Sequence, residues 1–202
     1  MLYIFTHILD TILPPHPSVL KLRQETPERF ERFYSLKKIS NSTTLSDYTQ
    51  DTIKAAITAN KFYNHSKASV LLATLVKKWI DTQSAKRIIF IPIPLSNTRI
   101  RKRGYNQVTR VVENISKDNI SIQNLLMRVK DTEAQTKLDR SLRLKNISNA
   151  FVYQPLKIDV DNCHIVLIDD VITTGTTMQE AYKTLKPNLP KNCQLTCLAL
   201  AH

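Results

Sequence analysis

Glycine is scarce in this sequence. Average usage of about 7% would place roughly fourteen glycines in a chain of this length, whereas the 202 residues contain only two, Gly104 and Gly175. A chain so poor in glycine is expected to keep it where other residues fit badly. Such places are a backbone with positive φ or a point where a ligand meets the main chain. Both glycines are therefore candidate functional positions.

Cysteine and long apolar runs are also scarce. The three cysteines, Cys163, Cys193 and Cys197, are too few and too oddly numbered for a disulfide framework. No apolar stretch approaches the roughly 18 residues that a membrane span needs. Residues 1–15 lack both the basic start and the small-residue cleavage site of a signal peptide. We therefore expect a cytoplasmic protein without a membrane span.

Positive charge is in excess. The 29 lysines and arginines outnumber the 17 aspartates and glutamates, so the net charge is +12, and the pI is about 9.7. This excess favours a polyanionic partner, either a nucleic acid or a phosphate-rich small molecule. The alternative is a basic surface whose charge is spread evenly and serves no particular ligand. Composition alone leaves both interpretations open.

The first part of the chain has the pattern of short helices. Residues 2–13 carry apolar side chains at helical spacing, and two prolines end that pattern. A second short helix is predicted over about Pro27–Tyr34, with Thr26 as its N-cap. The polar stretch SNSTTLSD that follows is the best candidate boundary. We therefore predict a helical N-terminal appendage over residues 1–45 and a main domain over residues 46–202.

Helical and strand patterns alternate in the main domain. The run at residues 163–168 is apolar throughout, which is typical of a central parallel strand buried on both faces. The alternation predicts an α/β fold, with a mostly parallel open sheet flanked by helices and right-handed crossovers. Helices are predicted near residues 53–62, 72–80, 108–115 and 176–186, and strands near 87–91, 163–168 and 195–200.

The strongest local signal is the run VLIDDVITTGTT at residues 166–177. A buried strand ends in two adjacent carboxylates, Asp169 and Asp170, and a threonine-rich loop then leads into a helix. Ligands bind at this edge of open α/β sheets, and the backbone N–H groups of a helix N-terminus bind phosphate. The predicted phosphate-binding residues are Thr173, Thr174, Gly175, Thr176 and Thr177.

The acid pair narrows the choice of ligand. Carboxylates repel phosphate, but they suit sugar hydroxyls or a divalent cation held through water. Two acids beside a phosphate loop therefore predict a ribose 5-phosphate site. The alternative is a strand end followed by an ordinary turn and helix cap. The absence of a G-x-x-x-x-G-K-[ST] motif argues against a nucleoside triphosphatase.

Three segments resemble known families. The run at residues 166–177 resembles the phosphoribosyl-diphosphate (PRPP) signature of type I phosphoribosyltransferases. Residues 92–107, PIPLSNTRIRKRGYNQ, resemble the P-x-P-L…R-x-R-G-F-N-Q element of the competence protein F (ComF) family. Residues 128–151 resemble that family's R-x-x-x-T-x-x-Q-x-x-L…R-x-x-N…A-F stretch. The resemblance covers about residues 46–202 and implies a type I phosphoribosyltransferase fold.

The resemblance also implies roles for the acids and for the segment after the strand at residues 87–91. Asp169 and Asp170 would contact the ribose hydroxyls, and Mg²⁺ would arrive with PRPP instead of occupying a metal site of the protein. The segment after Pro92 would bind diphosphate or a nucleic-acid backbone, and its alternative is a solvated basic turn. The candidate residues of this segment are Arg99, Arg101, Arg103 and Gly104.

A further implied element is a mobile loop at residues 128–146, which in related enzymes closes over the reaction. This stretch is basic and poor in apolar residues, and long loops in compact domains tend to be lids or disordered segments. The candidate residues of the loop are Arg128, Lys130, Gln135 and Arg143.

The chain departs from the family pattern at its start. Many members open with a zinc-binding cysteine cluster, whereas residues 1–162 contain no cysteine. Cys193 and Cys197 are predicted to point the same way from one strand. At ~3.3 Å per residue they would lie about 13 Å apart, too far for one tetrahedral zinc ion. We therefore expect no zinc site.

Two functions remain open. The first is a phosphoribosyltransferase, a glycosyltransferase that uses PRPP and Mg²⁺ with an unidentified acceptor. The second is a single-stranded-DNA-handling protein of natural competence, working beside a competence helicase, in which the PRPP site is regulatory or its phosphate sites bind DNA. In that case Tyr105, beside the basic cluster, would stack on a base. A third interpretation is a PRPP sensor that binds no DNA.

Overall fold

The computed structural model describes residues 15–85, 87–115, 118–130, 149–155 and 162–202. None of the described helices is both long and apolar enough to cross a membrane. Two short 3₁₀ turns lie at Glu31–Phe33 and Lys186–Asn188. The elements in chain order are α1 (Pro17–Lys21), α2 (Pro27–Phe30), β1 (Lys37–Ile39), β2 (Ser42–Thr44), α3 (Asp51–Tyr63), α4 (Ser66–Ile80), β3 (Ile88–Pro92), α5 (Asn97–Arg103), α6 (Gln107–Val112), β4 (Ile120–Ile122), β5 (Leu126–Arg128), β6 (Phe151–Tyr153), β7 (His164–Val171), α7 (Thr176–Leu185) and β8 (Gln194–Ala201).

A six-stranded sheet forms the centre of the described chain, in the order β1-β2-β8-β7-β3-β4. Only the β1–β2 pair is antiparallel among these six strands. The register places Pro92 of β3 beside Ile168 of β7, and Asp169 of β7 beside Ala199 of β8. The carboxyl ends of three neighbouring strands therefore meet at one edge, where open α/β sheets bind ligands. The predicted α/β class is confirmed.

Strand β7 is covered on both faces of the sheet. All residues from His164 to Ile168 are buried, as the unbroken apolar run predicted. Val166 and Ile168 belong to the core shared with α3, α4 and α6. Ile165 and Leu167 belong to a second core, shared with α7 and the short β5–β6 ladder. The candidate site at the end of β7 is therefore held from two sides.

The N-terminal segment packs on the first of these cores. Helix α2 begins where the sequence predicted, because the Thr26 hydroxyl accepts a hydrogen bond from the backbone N–H of Arg29 at 3.3 Å. Leu22 and Phe30 are both fully buried in that core. The helix predicted at residues 2–13 lies outside the described residues.

The polar stretch predicted as a boundary forms part of the sheet. Strands β1 and β2 make an antiparallel pair around Ser40, which has a φ of +53°. Strand β2 then pairs in parallel with β8, with Ser42 opposite Cys197. The sheet therefore continues through residues that the sequence assigned to a helical appendage. Their backbone groups find partners in β8, which no local pattern reveals. The division at residue 45 stays a prediction.

A two-stranded ladder of β5 and β6 corrects the start of the predicted mobile loop. Arg128 lies in β5 opposite Phe151 and is only 7% exposed. Its guanidinium lies 5.6 Å from the centre of the Phe151 ring, and its Nε donates to the Lys130 carbonyl at 3.2 Å. The packing on that ring explains why a charged residue is buried here. Arg128 is thus a strand residue and not a loop residue.

We predict that replacing Phe30 by alanine destabilises the whole domain and not the N-terminal segment alone. Removing a fully buried phenylalanine costs about 3–5 kcal/mol of unfolding free energy, and Phe30 shares its core with β7 and β8. Urea denaturation of Phe30→Ala measures the loss. The control is Leu36→Ala, because Leu36 is 51% exposed and its removal should change stability by less than about 0.5 kcal/mol. A separate early transition confined to the N-terminal residues would contradict this prediction.

Candidate functional site

The two predicted acids lie inside β7 and not after it. The strand continues through Asp169 and Asp170 to Val171, because β8 pairs with it as far as Ala201. Successive side chains of a strand point to opposite faces, so the two carboxylates enter different surroundings. They lie together at the ligand-binding edge, but they do not form one symmetric pair.

Asp170 is held by side chains from two helices. It is 5% exposed. Its Oδ2 lies 3.1 Å from the Nζ of Lys61 in α3 and accepts a hydrogen bond from the Nε2 of Gln107 in α6 at 2.9 Å. Burial by itself would raise the pKa of Asp170, but the Lys61 ammonium and the hydrogen bonds hold this pKa below its ordinary value. Asp170 is therefore an ionised, fully partnered carboxylate.

The partners of Asp170 are themselves connected. The side-chain carbonyl of Gln107 accepts a hydrogen bond from the Nη1 of Arg103, and the backbone carbonyl of Gln107 accepts one from the Nδ2 of Asn60 at 2.9 Å. The Tyr105 hydroxyl donates to the Asn60 carbonyl at 2.8 Å. This network joins the end of α3 to the junction between α5 and α6. No sequence signal marked Lys61 or Asn60, whereas Gln107 closes the ComF-like element and could have been chosen from it.

Asp169 has a different environment. It is half-buried, and its Oδ1 accepts a hydrogen bond from the backbone N–H of Asp170 at 2.8 Å. Burial, together with the negative charge of Asp170, raises the pKa of Asp169 to about 7. Near neutral pH this carboxyl therefore exists in both protonation states, and it can either donate to or accept from a ligand hydroxyl.

The predicted phosphate loop lies between β7 and α7. Ile172 anchors it, since the Ile172 N–H donates to the Ala201 carbonyl at 3.0 Å. Thr173 and Thr174 are exposed, and Gly175 is the N-cap residue of α7, with a φ of +73°. No described side chain caps the N-terminus of α7, and its first turn holds no acid. The arrangement leaves backbone N–H groups open to an anion, as P-loop-like helix starts do.

The threonines and the glycine have separate roles in shaping this loop. The hydroxyls of Thr174 and Thr176 lie 2.9 Å apart, so they hydrogen-bond to each other across the turn, and Thr177 is half-buried in the first turn of α7. A Cβ on Gly175 would lie 3.8 Å from its nearest described neighbour, the Ile172 Cγ2. Glycine is required there by the positive φ and not by crowding within the protein.

The predicted basic loop is a short helix, α5, and its geometry divides the arginines. Ser96 caps it by accepting from the Arg99 N–H at 3.4 Å, and Gly104 ends it with a φ of +80°. Arg99 and Arg103 are four residues apart and share a face, whereas Arg101 points to another side of the helix. The three arginines therefore do not converge on one ligand. The sequence predicted a ligand-binding loop here, and a loop assigns no arginine to a particular face.

Comparison with known proteins identifies the family of this chain. The family model described as "Phosphoribosyl transferase domain" matches residues 66–202. Competence protein F of Haemophilus influenzae is 33% identical over 150 residues, which are 70% of this chain and 65% of that protein. DNA utilization protein YhgH of Salmonella typhi is 30% identical over 76% of this chain and 69% of that protein. The chain belongs to the ComF family of phosphoribosyl transferase domain proteins.

A third relative is matched over a smaller share of its own length. Competence protein ComFC of Bacillus subtilis is 30% identical over 100 residues, which are 50% of this chain and 39% of that protein. This ComF-family chain thus spans less than two thirds of the length of some of its relatives. The resemblance stated from the three sequence motifs is confirmed, and so is the type I phosphoribosyltransferase fold.

A cavity of about 410 Å³ opens beside the segment that follows β3 in this ComF-family protein. Tyr105 is half-buried in its wall, and its hydroxyl also accepts from the Asn64 N–H at 3.0 Å. The half-buried ring of Tyr105 therefore offers a base less exposed surface than the predicted stacking role would use, and that role stays a prediction. Other lining residues are Pro92, Pro94, Asn106, Arg110 and Asn124.

The remaining predicted residues contribute no described contact to the acids. Lys130 is exposed just after β5, and Gln135 and Arg143 lie outside the described residues.

Cys197 is buried in β8, and burial raises the pKa of its thiol to about 11. Cys193 precedes β8 instead of lying within it. Within the described parts of the chain, no three His, Cys, Asp or Glu side chains are grouped to hold a metal ion.

We predict that Asp169→Asn makes stability less dependent on pH. The carboxyl titrates near 3.9 when unfolded and at about 7 when folded. Between these values the folded state holds a proton that the unfolded state has released, so stability falls as pH rises through this window. The variant should therefore melt at a higher temperature than the wild type at pH 8, by about 2–4 °C for each kcal/mol gained.

Thermal melts at several pH values between 4 and 8 measure this effect. The two proteins should have nearly equal melting temperatures at pH 4, and their difference should grow through the window. The control is Asp118→Asn, which removes an exposed carboxylate and should leave the pH dependence unchanged. A constant difference between Asp169→Asn and the wild type at every pH would rule out the raised pKa.

Proposed function

We propose that this protein binds PRPP at the carboxyl edge of β7 and serves DNA uptake or DNA utilization. The observation that carries the proposal is the order of a buried strand, an acid pair and a positive-φ glycine at the uncapped start of α7. The family match supports the phosphoribosyl part of the proposal. The names of the relatives, Competence protein F and DNA utilization protein, support the cellular part.

In this proposal the two acids contribute unequally to ribose binding. Both carboxylate oxygens of Asp170 have protein partners, because Oδ1 accepts from the Val171 N–H at 2.8 Å and Oδ2 faces Lys61 and Gln107. Asp169 is half-buried and is therefore the acid more open to a ribose hydroxyl. The backbone N–H groups at the start of α7 and the loop threonines bind the 5-phosphate.

Magnesium fits this site through the ligand. Mg²⁺ is commonly held by one or two carboxylates together with substrate phosphates, and the acid pair supplies carboxylates beside the space for a diphosphate. An Mg²⁺ ion held by these carboxylates and the ligand would supply positive charge that neutralises the diphosphate. The protein's own residues hold the sugar, fix the phosphate and supply positive charge from Arg99 and Arg103 on one face of α5.

A second candidate function is the handling of single-stranded DNA. The observation that favours it is the exposed basic surface of α5, where Arg101 and Lys102 face solvent. Basic residues that face away from the acids are not needed for a diphosphate, but they suit a sugar-phosphate backbone. The net charge of +12 agrees with this role. In this case the PRPP site is regulatory, and the same protein binds both PRPP and single-stranded DNA.

We predict that Gly175→Val abolishes PRPP binding in the presence of Mg²⁺. A β-branched residue strains the backbone at positive φ and puts a side chain where the phosphate meets the main chain. Isothermal titration calorimetry should show a loss of more than about tenfold in affinity. The matched control is Ser40→Val, which puts the same residue at another positive-φ position, between β1 and β2. Equal PRPP affinity in Gly175→Val and the wild type would refute the site.

We also predict that Mg²⁺ binds weakly to the protein alone and more tightly once PRPP is present. The described residues offer one acid pair and no larger ligand cluster, and one of these acids is already paired with Lys61. Calorimetric titration of MgCl₂ into the protein, with and without PRPP, compares the two affinities. Tight binding of Mg²⁺ without PRPP would show that the metal is not carried by the ligand.

A further inference from the structure

Phe62 is exposed at the end of α3, close to the acids. It is 64% exposed, more than any other large hydrophobic residue among those described. A single exposed apolar side chain is ordinary on a protein surface. This one is unusual because its two cationic neighbours belong to the network around Asp170.

Two positive charges border the Phe62 ring. The guanidinium carbon of Arg103 lies 5.7 Å from the ring centre, and the Nζ of Lys61 lies 5.9 Å from it. Both cations are held by other side chains, because Arg103 donates a hydrogen bond to Gln107 and Lys61 forms an ion pair with Asp170. The ring is therefore an aromatic surface with two positioned cations at its border, and this arrangement is set by the buried acid.

The backbone beneath the ring is also fixed. Tyr105 binds both the Asn60 carbonyl and the Asn64 N–H, so the last turn of α3 is attached to the junction between α5 and α6. The neighbouring Tyr63 is 48% exposed and stacks on His16, with ring centres 4.6 Å apart. Because the backbone on both sides of Phe62 is held in place, less entropy is lost when a flat ligand stacks on its ring, which favours this ring as a binding surface.

We propose that Phe62 stacks on a base of single-stranded DNA while Arg103 and Lys61 contact the adjoining phosphates. Proteins that bind single strands combine a basic groove with aromatic side chains on which bases stack. Arg101 and Lys102 are exposed on other sides of α5 and add to the positive charge of this short helix. The proposal rests on the proposed DNA function, and it replaces Tyr105 by Phe62 as the stacking residue.

The first test measures binding of a fluorescent oligothymidylate by anisotropy in 50 mM salt. Phe62→Ala should weaken binding by at least about fivefold, the lower end of what one stacked base contributes, whereas Phe62→Tyr should retain affinity. Leu36→Ala is the control, because it removes another exposed apolar side chain away from the basic helix. The salt dependence should be unchanged in Phe62→Ala, since no charge is lost. In Arg101→Ala the slope of the logarithm of the binding constant against the logarithm of the salt concentration should become less negative by about 0.7.

An abasic oligonucleotide of the same length separates stacking from charge. If Phe62 contacts a base, Phe62→Ala and the wild type should bind the abasic strand equally. In addition, Phe62→Trp should show a fluorescence change on binding oligothymidylate. The only natural tryptophan, Trp79, is 4% exposed, and the wild type should therefore show no such change.

The outcomes distinguish this proposal from the function on which it rests. If the wild type binds no single-stranded DNA even at low salt, the DNA function fails and the role of Phe62 fails with it. If the wild type binds and Phe62→Ala binds within twofold of it, the DNA function stands and the Phe62 proposal is overturned. Equal losses on the abasic and the normal strand would also overturn stacking.

Discussion

A buried carboxylate at the end of β7 connects the main parts of the candidate site. Asp170 is 5% exposed, and an ionised group so far from water needs partners that replace its hydration. Lys61 from α3 and Gln107 from α6 supply them, and Gln107 also holds Arg103 at the end of α5. Three helices are thereby attached to the edge of the sheet. The positions of Lys61 and Arg103 therefore follow from the need to give the Asp170 carboxylate its partners.

Asp169, next to Asp170 on β7, shows that two adjacent carboxyl groups of one strand can have different chemistry. Adjacent positions on β7 face opposite sides, so Asp170 meets Lys61 and Gln107 and stays ionised, whereas Asp169 forms no ion pair with a described residue. The charge of Asp170 and burial then raise the pKa of Asp169 to about 7. A half-buried acid that changes protonation near neutral pH suits a ligand that brings hydroxyls and phosphates to the same edge. A fully ionised pair would repel such a ligand more strongly.

The ion pair also relates the two candidate ligands. Lys61 and Arg103 lie between the acid and the exposed Phe62 ring, so the cations that neutralise the site also border the outer surface. A phosphoribosyl ligand and a single strand are therefore not competing descriptions of the whole molecule. The proposed phosphoribosyl site is at the sheet edge, the proposed stacking surface is at the end of α3 beside α5, and Lys61 and Arg103 border both.

The sequence by itself determined the α/β alternation, the buried strand β7, the start of α2 and the order of strand, acids, loop and helix. These features depend on residues that are close along the chain, and periodicity, capping and glycine carry that information. Only the tertiary structure decided that Arg128 is buried in a strand opposite Phe151 and that Lys61 pairs with Asp170. In each case the partner or the exposed face depends on where a distant segment packs. A lysine in an amphipathic helix looks like a solvated lysine until the fold brings a buried carboxylate to it.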